Sequence, residues 1–120
     1  IVSKRNQAPV TSIVQKSSAG AVNHIKIAKV ANIADIILKL QKENVWVYGA
    51  CGEAEKIYTD MDFKGNIAIV IGNEGFGISR LVKENSDILV KIPMKGKINS
   101  LNASVSAAIV MYEVMNQRNK

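Results

Sequence analysis

Apolar residues gather in three short blocks: residues 45–50 (VWVYGA), 67–71 (IAIVI) and 88–92 (ILVKI). Each is β-branched or nearly continuous in apolar character, and glycine or proline chemistry follows each one. Such blocks predict strands covered on both faces, as in a parallel sheet. Residues 25–30 (IKIAKV) alternate apolar and basic positions, the pattern of a half-exposed or edge strand. Ile33, Ile36, Ile37 and Leu40 share the spacing of one buried helix face. Asn32 is placed to cap that helix, and Asp35 sits in its first turn, where a carboxylate suits the dipole. A last helix is predicted from near Ser100 to about Gln117, with Leu101, Val105, Ala108, Ile109 and Tyr112 as its core stripe. Residues 9–20 read as a short helix with loops around it, and residues 56–65 as a connecting loop with acidic residues. Strands alternating with helices predict the α/β class, with a mostly parallel sheet flanked by helices.

A chain of 120 residues accommodates one domain, and residues 1–120 are read as one. The sequence is 48% hydrophobic, which excludes a disordered chain. Its formal net charge is +6, from 16 Lys and Arg against 10 Asp and Glu. That charge fits a nucleic-acid partner, because cations neutralise phosphates, but it fits an ordinary soluble surface too. The cations are spread out and form no basic tail. Cys51 is the single cysteine, which rules out an internal disulfide and makes a reducing, cytoplasmic compartment the default. No apolar run approaches a membrane span and no signal peptide is visible. Ile1-Val2 reads like the interior of a strand, so the chain is expected to be a piece of a longer protein.

Two segments carry candidate chemistry. Gly72-Asn73-Glu74-Gly75-Phe76-Gly77-Ile78 follows the second apolar block, and its three glycines let backbone approach a ligand at the carboxyl end of a strand. The spacing G-x-x-G-x-G matches neither the dinucleotide fingerprint nor a P-loop. A tight strand-to-helix turn explains the same glycines without any ligand. The second segment, residues 92–106 (IPMKGKINSLNASVS), leaves a strand and enters the last helix. Ser100 and Asn102 lie where a helix offers free N–H groups and the positive end of its dipole, or where Ser100 merely caps it. His24 stands alone and no metal-ligand spacing exists, so no metal is expected. Trp46 and Tyr48 read as packing residues, and Cys51 as a small buried one.

The pair IVIGNEGFGIS and IPMKGKINSLNASVSAAIVMYE resembles the second and third motifs of the SpoU (TrmH-like) branch of the SPOUT RNA methyltransferases. Residues 17–22 with 27–30 resemble the subgroup that methylates a guanosine ribose in large-subunit ribosomal RNA. The resemblance implies a C-terminal trefoil knot, S-adenosylmethionine as cofactor and transfer of a methyl group to a ribose 2′-hydroxyl of RNA. It implies ribosomal RNA as partner, with transfer RNA as the alternative, and a homodimer to which the last helix contributes. Gly49, Ala50, Ile71, Gly72, Ile92, Met94, Ser100 and Leu101 are the implied cofactor-binding residues. Glu74, Ser100 and Asn102 match the polar active-site positions. The family's first motif, with its Asn and Arg, is not found in residues 1–120, so this chain alone is expected to be inactive or nearly so. A knotted RNA-binding module without catalysis is the competing reading, followed by an unrelated α/β ligand-binding domain.

Overall fold

A computed structural model describes residues 1–3, 20–21, 24–72, 77–97 and 101–119. The expected helix at residues 9–20 falls almost wholly outside them. The chain divides into two compact units, residues 1–36 and 37–120.

In the first unit, β1 (Val2–Ser3) pairs in parallel with β2 (Lys29–Val30), Val2 opposite Lys29 and Ser3 opposite Val30. The strand expected over residues 25–30 is thus confined to its last two residues. Ile25 and Ile27 are exposed. Helix α1 (Ile33–Lys42) follows, its residues 37–42 counted with the second unit. The Asp35 N–H donates to Asn32 Oδ1 at 3.2 Å, so Asn32 caps the helix as expected. Ala34 and Ile37 are buried, with Ile33, Ile36 and Leu40 half-buried beside them. The helix stops in a Schellman motif. Asn44 takes φ +62°, its N–H donates to Gln41 O, and the Val45 N–H reaches back to Leu40 O.

The second unit holds a four-stranded, all-parallel sheet in the order β4-β6-β3-β5. Its strands are β3 (Trp46–Ala50), β4 (Lys56–Ile57), β5 (Ile67–Val70) and β6 (Ile88–Lys91). The three expected central strands are all present. The expectation for residues 56–65 is corrected: this stretch holds β4, a 3₁₀ turn (Tyr58–Asp60) and the fully buried Phe63. Its scattered polar residues hide that Tyr58, Met61 and Phe63 form one inward-facing set on the core.

Side chains alternate across the sheet, and the register places Tyr48, Ile69, Ile88 and Val90 on one face. Tyr48, Phe63, Val90 and Val110 are the buried centre of the core on that face. The Tyr48 and Phe63 rings meet edge to face at 4.9 Å, a favoured aromatic geometry. The Tyr48 hydroxyl donates to Asp62 O at 3.1 Å. Val47 and Gly49 lie on the opposite face, where Leu89, Ser86 and Ile78 approach Gly49. Helix α2 (Arg80–Asn85) is capped by Ser79, whose Oγ accepts from Val82 N. Asp87 Oδ2 accepts the Val47 N–H at 2.7 Å, fixing β6 to the start of β3.

Helix α3 (Ala103–Arg118) starts three residues later than expected, because Asn102 rather than Ser100 is its N-cap. Only part of the predicted core stripe faces inward: Leu101 and Ile109 are half-buried, whereas Ala108 is exposed. Val110 is fully buried, while Val105 and Tyr112 are 45% and 78% exposed. Apolar residues are spread around the helix circumference, so periodicity alone does not select a face. The small residues Ala103, Ser106 and Ala107 turn inward with Val110 and Val114. The far end is fastened to the loop before β5. The Phe63 N–H donates to Gln117 Oε1 at 2.7 Å, Gln117 Nε2 donates to Met61 O at 2.8 Å, and Arg118 donates to Phe63 O and Gly65 O.

Burial raises the Tyr48 pKa, with Asp62 and then Asp87 adding to the effect. The folded state therefore favours the neutral phenol. Stability is full below the unfolded pKa of about 10 and falls as pH rises from there through the folded pKa. Tyr48→Phe is expected to cost about 1 kcal/mol at neutral pH through the lost hydrogen bond and to flatten the loss above about pH 10. Urea titrations from pH 7 to 11 read both. An unchanged alkaline slope would remove Tyr48 from this account.

Candidate active site at the carboxyl ends of the parallel strands

In open parallel sheets, ligands bind beyond the carboxyl ends of the strands. Here those ends carry Gly49-Ala50 at the end of β3 with Cys51 after it, Ile71-Gly72 after β5 and Ile92-Pro93-Met94 after β6. Gly49 is buried, while Ala50, Ile71, Gly72, Ile92 and Met94 are half-buried. Ile92 packs against the core. The Cys51 N–H donates to Val90 O at 2.8 Å, carrying the β3–β6 pairing past Ala50. Cys51 itself is half-buried rather than buried.

The two glycines are needed for different reasons. A Cβ at Gly49 would lie 2.9 Å from Leu89 Cδ2, 3.2 Å from Ser86 Oγ and 3.3 Å from Ile78 Cδ1. These are side-chain atoms that can give way. A Cβ at Gly72 would overlap the Gly77 carbonyl carbon and stand 2.6 Å from Ile78 N. Those are backbone atoms, so the turn closes on itself through Gly72. The tight-turn reading of this motif therefore has a direct steric basis, beside any role in admitting a ligand. Gly77 adopts φ +66°, a conformation that glycine takes at little cost.

Ile78 is the residue that sequence reasoning passed over. It is 6% exposed, and both glycines lie beside it, Gly49 at the Ile78 side chain and Gly72 at the Ile78 main chain. Its only sequence signal is its place as the first apolar residue after the last glycine of the motif.

Asn102 has a defined structural task. Its Oδ1 accepts from Ser104 N at 2.9 Å, Val105 N at 3.4 Å and Ser104 Oγ at 2.6 Å. That oxygen is committed to the first turn of α3. Leu101 is half-buried immediately before the cap. Glu74 and Ser100 lie outside the described residues. Lys95 and Lys97 are exposed beyond β6, and Lys83 pairs with Glu53 at 3.5 Å. Among the described residues, no group of three or more His, Cys, Asp and Glu could hold a metal ion.

Residues 1–112 match the family model described as the SpoU rRNA Methylase family. The chain belongs to the SpoU rRNA methylase family. This SpoU domain is 44% identical over 119 residues to YacO of Bacillus subtilis, named as a TrmH family tRNA/rRNA methyltransferase, covering 99% of this chain and 48% of that protein. It is also 44% identical to the 23S rRNA (guanosine-2′-O-)-methyltransferase RlmB of Xanthomonas campestris, covering 98% of this chain and 47% of that one. The fold superposes on the crystal structure of the A. aeolicus TrmH/SpoU tRNA modifying enzyme with a TM-score of 0.86 and 26% identity, over 97% of this chain and 58% of that chain. The SpoU domain thus spans about half the length of the curated relatives it matches.

Gly72→Ala is expected to destabilise the SpoU domain by about 1–3 kcal/mol, the usual range for overpacking. Gly49→Ala should cost less, since flexible side-chain ends face it. Equilibrium unfolding in urea compares the two. Equal losses would show that the Gly77 backbone yields and that the turn is not sterically locked.

Proposed function

We propose that the protein containing this chain methylates a ribose 2′-hydroxyl of RNA, a guanosine of large-subunit ribosomal RNA, with S-adenosylmethionine as methyl donor. The approach of Gly49 and of the Gly72 turn to one residue, Ile78, at the carboxyl ends of parallel strands, carries this reading. Apolar, half-buried Ile71, Ile92 and Met94 at the same sheet end suit an adenosine, and the small Gly49 and Ala50 leave backbone accessible to it. Family membership and the RlmB relative support the chemistry.

The cofactor supplies an electrophilic methyl group carried on sulfur. The chain's task is then to hold the acceptor in line, since positioning provides much of the rate of such a transfer. Gly49, Ala50, Ile71, Gly72, Ile92, Met94, Ser100 and Leu101 are assigned to the cofactor. Glu74 is assigned to bracing the active-site loops, and Ser100 and Asn102 to orienting the reactants. Asn102 would do so through its cap, holding the start of α3 in place. The family's trefoil knot fits a strand order in which β6 lies between β3 and β4. Exposed Lys95 and Lys97 are candidates for phosphate contacts.

A homodimer is part of this reading. Val105, Met111, Tyr112 and Met115 on α3 are 45–78% exposed, more apolar surface than a solvent-facing helix needs. Beside them lies an open groove of about 470 Å³ lined by Tyr58, Ala108, Ile109, Tyr112, Glu113 and Asn116. No helix among the described residues is long and apolar enough to cross a membrane, and a cytoplasmic enzyme is proposed. The A. aeolicus relative, titled a tRNA modifying enzyme, keeps transfer RNA as the second substrate reading.

Tritiated methyl transfer from S-adenosylmethionine to unmodified ribosomal and transfer RNA, followed by mapping of the labelled nucleotide, tests the proposal on the full-length protein. A labelled guanosine ribose in ribosomal RNA is expected. Label in transfer RNA alone would favour the second substrate, and no ribose label would overturn the activity. Asn102→Ala is expected to cost about 1 kcal/mol as a lost cap and to lower transfer more than RNA binding. Asn102→Asp, which keeps the capping oxygen, should recover most of the transfer if the role runs through the cap. Lys95→Ala and Lys97→Ala should weaken RNA binding with a shallower salt dependence than wild type.

A further inference from the structure

Ile78 has a placement that the assigned site residues do not use. Its side chain is almost fully buried at 6% exposure. Its Cδ1 faces Gly49 across the sheet, 3.3 Å from where a Cβ would stand, and its amide nitrogen faces Gly72 at 2.6 Å on the same measure. One residue therefore lies beside Gly49, near the carboxyl end of β3, through its side chain and beside the turn after β5 through its main chain. It is also adjacent to Ser79, the cap of α2, so its own position is fixed from the helix side. A side chain at Gly72 would overlap backbone, and one at Gly49 would press on Leu89 Cδ2, Ser86 Oγ and Ile78 Cδ1.

We propose that Ile78 is a positioning residue that sets the spacing between Gly49, near the carboxyl end of β3, and the Gly72 turn, and through them the shape of the adenosine pocket. The inference rests on the functional reading above, because the pocket is meaningful only if those two segments hold S-adenosylmethionine. A site is productive only when its groups are held within about 0.5 Å of the required geometry. Ile78 has no polar side-chain group to offer the ligand, so its effect is on where these two segments stand. Shortening the side chain withdraws Cδ1 from beside Gly49, while the Ile78 backbone beside Gly72 remains. The predicted defect is therefore in cofactor affinity, and not in folding alone.

Calorimetric titration of S-adenosylhomocysteine into the full-length protein tests this without any RNA substrate. Ile78→Val removes only Cδ1 and is expected to weaken binding about threefold, and Ile78→Ala about tenfold, in keeping with the sensitivity of sites to small displacements. Val82→Ala is the control, because Val82 is buried in α2 at 8% exposure and has no assigned cofactor contact. It should lose comparable stability and keep its affinity within about twofold. Amide hydrogen exchange should rise at residues 49–51 and 71–72 in the Ile78 variants and not in Val82→Ala. Wild-type affinity in both Ile78 variants, or an equal loss in Val82→Ala, would overturn the proposal while leaving the functional reading intact. If Ile78→Ala does not fold, the comparison of Ile78→Val with Val82→Ala decides on the same terms. A wild-type protein that fails to bind S-adenosylhomocysteine would overturn both.

Discussion

Val90 pairs with Ala50 on one side and with Lys56 on the other, and the second unit is organised around that pairing. Ala50 and Lys56 are close in sequence, yet a whole strand lies between them. Parallel neighbours normally need a long crossover, because the chain must return to the starting end of the sheet. Here β4 begins level with the carboxyl end of β3, so residues 51–55 need only move sideways across β6. Two strand spacings of 4.7–4.9 Å make about 10 Å, which this stretch covers easily. The consequence is a strand, β6, held between two segments of one short connection. Val90 is 1% exposed, and Cys51 donates to its carbonyl oxygen. A slip of β6 by one residue would carry Val90 to the opposite face and break the pairing on both sides at once.

That constraint places the candidate site. With β6 pinned at Val90, Ile92 and Met94 leave the sheet beside Ala50. Gly49 and Gly72 then face the same buried residue, Ile78. Asp87 acts at the other end of β6, where its carboxylate takes the Val47 N–H. The strand is thus registered at both ends, and the candidate site lies in the segments beyond it. Rigid strands supporting adaptable turns are the usual way a fold carries a binding site.

The central strands, α1 and its Asn32 cap were legible in the sequence, because each had an unambiguous period or a strong capping residue. The motif pair made the family legible as well. Three features were not. Residues 56–65 look polar, but Tyr58, Met61 and Phe63 enter the core at spacings that belong to no regular element. In α3, the largest apolar residues point outward and the small ones inward, so a reading weighted by size selects the wrong face. Close packing against a sheet favours alanine and serine where the helix comes nearest, and such residues carry little hydrophobic signal. Ile78 was hidden for another reason. Glycine-rich motifs draw attention to the glycines, whereas the buried residue that lies beside both Gly72 and Gly49 stands at the motif's edge.

The N-cap of α3 shows how a structural role and a chemical one can occupy the same side chain. Asn102 Oδ1 serves Ser104 N, Ser104 Oγ and Val105 N, which makes it the fixed point from which α3 runs to its opposite anchor at Gln117 and Arg118. A helix held at both ends transmits little slack. Its far end is tied to the loop around Phe63, and Phe63 packs on Tyr48. Tyr48 lies one residue before Gly49. The chain of contacts from Asn102 through α3, Phe63 and Tyr48 therefore returns to the carboxyl end of β3. In this arrangement, the order of the core and the order of the proposed cofactor pocket are the same property, because the strand that supplies the core aromatic also carries, as its next residue, the glycine proposed to border the pocket.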